Sequence, residues 1–92
     1  MANLPNVHPG EILKEEFLKE NGISAYQLSK EIGIAQTRIS QIIKGKRSIT
    51  ADTALRLSAF FGNSAKFWFG LQADYDLEEE QNRHGDQLKH IR

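Results

Sequence analysis

Apolar residues recur along this chain at helical spacing, and nowhere does a β-branched run alternate with period two. The pattern predicts an all-α fold of five helices. The first starts near Pro9, whose fixed φ and missing N–H suit the first helical position, and stops at Asn21-Gly22. Ile12, Leu13 and Phe17 face inward, and Glu11, Glu15 and Glu16 lie in early turns where the helix dipole favours anions. The second runs from a Ser24 cap to about Ile32, and the third from about Ala35 to Lys44, ending at Gly45. Thr50 caps the fourth, where Ala54, Leu55, Leu57, Ser58 and Phe61 form a stripe of apolar and small residues closed by Gly62. Ser64 caps the fifth, in which Phe67, Trp68, Leu71 and Tyr75 share roughly one side while Phe69 and Ala73 fall nearer the flank. From Asp76 the chain turns acidic, then polar. Leu88 and Ile91 offer a last turn against the body, and Gly85 argues against one. The expected organisation is one domain over 1–79, followed by a polar tail, 80–92, whose helicity the pattern leaves open.

The stretch SAYQLSKEIGIAQTRISQIIKGKR, from Ser24 to Arg47, carries the most information. Leu28 and Ile32 repeat at helical spacing before Gly33; Ile39, Ile42 and Ile43 do so after it. Glycine takes positive φ without a Cβ clash, so Gly33 permits the quick reversal that makes two short helices a helix-turn-helix. Burying the isoleucines turns Thr37, Gln41 and Lys44 to the opposite face, which is amide, hydroxyl and cation. Composition first argues against a nucleic-acid partner, because the 92 residues have zero net charge. The distribution of that charge argues the other way. Residues 1–29 hold two bases and four acids, 30–66 seven bases and two acids, and 67–92 three bases and six acids. A basic middle is flanked by acidic ends, and from Arg38 to Arg47 there are four bases and no acid.

An α-helix fits the major groove of B-DNA with its N-terminal residues nearest the base edges. Gln36 and Thr37 occupy that turn of the third helix, and Gln41 lies one turn on. Glutamine donates and accepts together, so it can pair bidentately with adenine. Arg38 sits on the flank, where guanine and a nearby phosphate are both open to it. Lys44, Lys46 and Arg47 have no neighbouring acids and are assigned to phosphate, where each contact adds affinity and salt dependence without sequence information. The N-terminus of the second helix, with Ser24 and the Ala25 amide, suits another phosphate. The bland reading of the same residues is an ordinary helix pair with a solvated basic face, and the isoleucines are core under either reading.

The run LSKEIGIAQTRISQIIKGKR resembles the helix-turn-helix of the Cro/lambda-repressor (XRE) superfamily, with Ser29, Gly33, Ile34, Ile39 and Ile42 at matching positions. HPGEILKEEFL, ITADTALRLSAFFG and SAKFWFGLQADYDLE further resemble the HigA antitoxins of HigBA toxin–antitoxin modules, also labelled virulence-associated protein I. The likeness spans about residues 7 to 79 in three separated blocks. It implies a five-helix lambda-repressor-like domain that forms a homodimer and represses its own operon at a palindromic operator in double-stranded DNA. It also implies neutralisation of a HigB-type toxin, a RelE-like mRNA endonuclease. Carried onto this chain, the reading positions fall on Gln36, Thr37, Ser40 and Gln41, and the phosphate positions on Ser24, Ala25 and Lys44 through Arg47. Superfamily members often have glutamine where this chain has Ala25, which removes one side-chain phosphate contact and leaves the backbone amide. Ser29 stands where a small alanine is usual. The resemblance does not locate the toxin-binding surface; Asp74, Asp76, Glu78, Glu79 and Glu80 read first as a solvated helix face and only second as an attraction for a basic partner.

Three consecutive aromatics, Phe67-Trp68-Phe69, cannot all face one way on a helix, which assigns Phe69 to a two-fold dimer contact. His8, His84 and His90 do not converge on a metal site, and no cofactor is implied. Serines and histidines show no local pairing and cysteine is absent, so nothing points to an enzyme. No apolar run approaches a membrane span, and the N-terminus lacks the basic and apolar blocks of a signal peptide. The lack of cysteine suits a reducing cytoplasmic setting. Two rivals to an antitoxin are a stand-alone XRE-type regulator and a protein-interaction module with little role for DNA.

Overall fold

The computed structural model of the chain describes residues 6–88. Five helices build it, and no strand occurs among the described residues. Helix α1 spans 9–21, α2 Ala25–Ile32, α3 Gln36–Ile43, α4 Ala51–Phe61 and α5 Ala65–Leu88. The expected starts hold: Pro9 is the first residue of α1, and the side chains of Ser24, Thr50 and Ser64 each accept a first-turn backbone N–H. His8 caps α1, its Nδ1 accepting from Gly10 N–H at 2.8 Å.

Inside α1 the chain departs from regular geometry. Leu13–Leu18 is π-helical, with Lys19 N–H donating to the carbonyl five residues back at Lys14. In a regular α-helix positions 13 and 18 are about 140° apart. The wider turn lets Leu13 and Leu18 both reach the core, while Ile12 and Phe17, expected to face inward, are only half-buried.

Leu13, Leu28, Ile39, Ile42, Leu57 and Trp68 form the centre of one core, each wholly buried. Trp68 donates its indole N–H to Asn63 Oδ1 at 2.9 Å, so its burial leaves no polar atom unserved. Phe17, Phe61 and Phe67 pack around it, with Phe17 at 4.6 Å between ring centroids.

Two stripes differ from the sequence expectation. On α4 the inward residues are Thr53, Ala54 and Leu57, and Leu55 is 61% exposed, because it lies about 100° from Ala54 around the helix. On α5 Phe67, expected on the buried side, remains 40% exposed at its edge. The fifth helix also continues without a break past Glu79 and through Gly85 to Leu88. Arg83 lies 4.0 Å from Glu79 and 3.3 Å from Glu80, pairs that each add a few tenths of a kcal/mol to an exposed helix. Ile91, expected in a last turn, lies outside the described residues.

Candidate nucleic-acid interface

The approach to α3 begins at α2. Ser24 Oγ accepts from Gln27 N–H at 3.0 Å while Gln27 Oε1 accepts from Ser24 N–H at 2.8 Å, a reciprocal capping box. The N–H groups of Ala25 and Tyr26 in that first turn have no carbonyl four residues back within the helix, which leaves donors for an anion. Ser29, standing where alanine is usual, is buried, and its hydroxyl donates to Tyr26 O at 2.6 Å.

At the other end Gly33 takes φ 74° and donates its N–H to Ser29 O. Arg56 of α4 clasps this turn: Nη1 donates to Ile32 O at 2.7 Å and to Gly33 O at 3.4 Å, and Nε donates to Asp52 Oδ2 at 3.0 Å. A cation on the last carbonyls of a helix also complements its dipole.

Helix α3 then buries Ile39 and Ile42 completely. Gln36, Thr37 and Gln41 are exposed, and Arg38 and Ser40 are half-buried on its flanks. Gly45 N–H donates to Ile42 O and Lys46 N–H to Gln41 O, a Schellman end that projects the lysine-rich loop from the helix. Lys44, Lys46 and Arg47 are all exposed. Arg47 folds back, donating Nε–H to Gln41 Oε1 at 2.9 Å. The structure thus joins a residue assigned to bases and one assigned to phosphate.

The side opposite the exposed face is held by backbone contact. Gly10 packs so closely on α3 that a Cβ there would stand 1.7 Å from Ile42 O. Beyond the loop, Ile49 is buried, and its N–H donates to Oε1 of buried Gln72 at 2.8 Å. Gln72 Nε2 donates in turn to Asp76 Oδ1 at 3.0 Å. The His8 ring packs edge-on to Tyr75, 4.8 Å between centroids, and lies over Gly45. Burial holds its pKa below the usual histidine value, against the opposing pull of the Asp76 charge.

A helix-turn-helix family model matches residues 14–68. Virulence-associated protein I of Dichelobacter nodosus is 49% identical over 75 residues, covering 82% of this chain and 69% of that protein. Antitoxin HigA-1 of Vibrio cholerae is 35% identical over 86 residues, covering 94% and 81%. The Pseudomonas aeruginosa antitoxin HigA, solved with the higBA promoter, superimposes with a TM-score of 0.91 at 37% identity, covering 96% and 97% of the two chains. This chain belongs to the HigA antitoxin family.

Within this HigA-family chain the residues proposed for DNA fall into two groups separated in sequence by the rest of α2 and the turn, the α2 start and the α3 face with its loop. Three positioning residues escaped the sequence reading. Gly10 lies in the quoted HPGEIL block, but its contact is with a helix thirty residues away. Arg56 reads as one half of an i,i+4 surface pair. Gln72 left a usable signal, a polar residue in the Trp68, Leu71 and Tyr75 stripe. Phe69, assigned to the dimer, is 49% exposed and continues with Ala73 and Leu77 at i, i+4 and i+8 along α5. Beside it a hollow of about 250 Å³ is lined by Ala51, Ala54, Leu55, Ala65, Lys66 and Phe69. No cluster of metal-ligating side chains occurs among the described residues, and none of their helices is long and apolar enough to cross a membrane.

Proposed function

We propose that this chain is the antitoxin of a type II toxin–antitoxin module, acting in the cytoplasm by binding rather than by catalysis. As a homodimer it binds a palindromic operator and represses its own operon, and it neutralises a HigB-like mRNA-cleaving toxin. The observation that carries the DNA part is a polar, basic face on α3 backed by wholly buried isoleucines, in a chain of the HigA family. Gln36, Thr37, Ser40 and Gln41 read bases, with Arg38 on a base or a phosphate. Lys44, Lys46, Arg47 and the first turn of α2 at Ser24 and Ala25 hold phosphates.

The dimer forms through the exposed Leu55, Phe69, Ala73 and Leu77 stripe, which a two-fold axis would pack on itself. Binding a palindromic operator requires the dimer to set two α3 helices on successive major grooves, about one turn of DNA apart. Gel shifts with the chain's own promoter test the repressor role. Gln36→Ala should cost roughly 1–3 kcal/mol at the operator and relax base preference. Equal binding of promoter and random DNA by the unmodified protein would end that reading. Co-expression with the adjacent gene product, scored as rescue of growth, tests the antitoxin role, and no rescue would leave a regulator alone. Phe69→Glu should convert the dimer to monomer in sedimentation, and an intact dimer would move the interface elsewhere.

A further inference from the structure

Resting on the DNA-reading role above, we infer that Arg47 is a specificity-determining residue that sets how Gln41 reads a base. Glutamine alone is ambiguous: rotating its amide exchanges donor and acceptor, so it can suit adenine, guanine or thymine. Here the ambiguity is removed before DNA arrives. A guanidinium N–H can be accepted only by the amide oxygen, so the 2.9 Å contact from Arg47 Nε fixes which pole of the Gln41 amide faces the loop. The NH2 group is then the pole of the amide that Arg47 does not engage. Gln41 is exposed, one turn into α3, so the donor pole remains available to a base.

The chemistry of the outward group selects its target. A glutamine pairing bidentately with adenine must present oxygen and nitrogen to the same edge, so its oxygen has to accept from adenine on its second lone pair at an orientation that Arg47 sets. A donor-only pole suits an acceptor edge, and guanine offers two adjacent acceptors, N7 and O6, in the major groove. Arg47 is itself placed by the loop geometry. Lys46 N–H closes on Gln41 O at 2.8 Å, and buried Ile49 is anchored to Gln72 at 2.8 Å, so Arg47, in the two-residue span between them, returns over the end of α3. Lys46 shares this loop and the positive charge, but Gln41 Oε1 is held by Arg47. Loss of charge and loss of orientation can therefore be separated.

The test is selection from a randomised DNA library by the full chain, its Gln41→Ala, Arg47→Met and Lys46→Ala variants, and the Gln41→Ala/Arg47→Met double variant. Circular dichroism confirms that each is folded. Gln41→Ala identifies the base position that Gln41 reads. At that position the unmodified chain should prefer guanine by about tenfold or more, the scale of one good base contact. Arg47→Met should shift the preference toward adenine, Lys46→Ala should weaken all sites alike, and the Arg47→Met shift should vanish in the double variant. Unchanged base frequencies in Arg47→Met, or adenine already preferred by the unmodified chain, would overturn the inference while leaving operator reading intact. If the unmodified chain selects no sequence, the DNA-reading role fails first and this inference with it.

Discussion

Replacing Gly10 by alanine tests the packing that sets α3 in place. The added Cβ would stand 1.7 Å from Ile42 O, 2.6 Å from Ile42 C and 3.0 Å from Ile43 Cα. Ordinary carbon–oxygen contacts are about 3.3–3.6 Å, so the two backbones must part by roughly 1.5–2 Å. Neither side can yield by rotating a side chain, because the obstruction is backbone on both. Parting them opens the contact around Leu13, Ile39 and Ile42, all wholly buried, and forfeits dispersion energy there. Overpacking by a methyl group costs about 1–3 kcal/mol when side chains can adjust, so at least ~3 kcal/mol is expected here. For a domain of this size that lowers Tm by about 12–24 °C. Two other glycines supply controls. Gly22 has φ 65° with nothing within 4 Å of a Cβ, so alanine meets only left-handed strain of about 1–2 kcal/mol. Gly70 lies inside α5, also with nothing within 4 Å, so alanine should stabilise by up to about 1 kcal/mol. Melts followed at 222 nm, at one fixed protein concentration, should rank Gly70→Ala above the unmodified chain, then Gly22→Ala, then Gly10→Ala. A Gly10→Ala protein melting with the unmodified chain would refute the backbone contact between α1 and α3.

Gln72→Leu keeps the bulk but orphans the buried Ile49 N–H, at a cost of about 1–3 kcal/mol; an unchanged denaturation midpoint would mean that another group serves that donor. Arg56→Met removes the donors on Ile32 O and Gly33 O, worth about 1 kcal/mol after discounting for a side chain 43% exposed. Asp52→Asn breaks only the surface i,i+4 pair and should cost about 0.3–0.5 kcal/mol, so equal losses in the two variants would refute the clasp on the turn. The pH dependence should follow His8, whose folded pKa is lowered by burial. The unfolded chain then takes up this proton first, so the stability is present above the ordinary histidine value of about 6.5 and falls as pH drops through it toward the folded pKa. His8→Asn, which keeps a neutral cap acceptor for Gly10 N–H, should lose less stability over that window; parallel pH profiles would remove His8 as the cause.

The helix-turn-helix was legible because its signals are local. Isoleucine spacing, Gly33, the Ser24 cap and a run of bases all lie within two dozen residues, and the outward exposure of Gln36, Thr37 and Gln41 follows once Ile39 and Ile42 are buried. What sequence left unread depends on partners distant along the chain. Leu55 counts as core in any one-dimensional tally, and only the placement of α5 shows that it opens beside Phe69. The π-helical turn in α1 has no breaker to announce it; Leu13 and Leu18 must both meet the core, and the backbone widens to allow it. The length of α5 was hidden by Gly85, whose cost of about 1 kcal/mol in a helix is offset by neighbours on either side.

These distant contacts converge on one short element. Helix α3 has eight residues, and isolated helices shorter than about 12–15 residues are marginal in water, so local propensity cannot hold it. Its side-chain cap is missing too, since Ala35 stands at the N-cap. Position must come from outside: Gly10 beneath its last turn, Arg56 on the turn before it, and Gln72 on the segment after it. Base recognition tolerates misplacement of only about half an ångström, so weakening any of these three should degrade discrimination between operator and random DNA before the domain unfolds. Arg56→Met supplies the sharpest case, because it relaxes the turn at small cost in stability. Its ratio of operator to random-DNA affinity should fall at temperatures well below its melting transition, whereas a ratio preserved until unfolding would show that the turn holds itself.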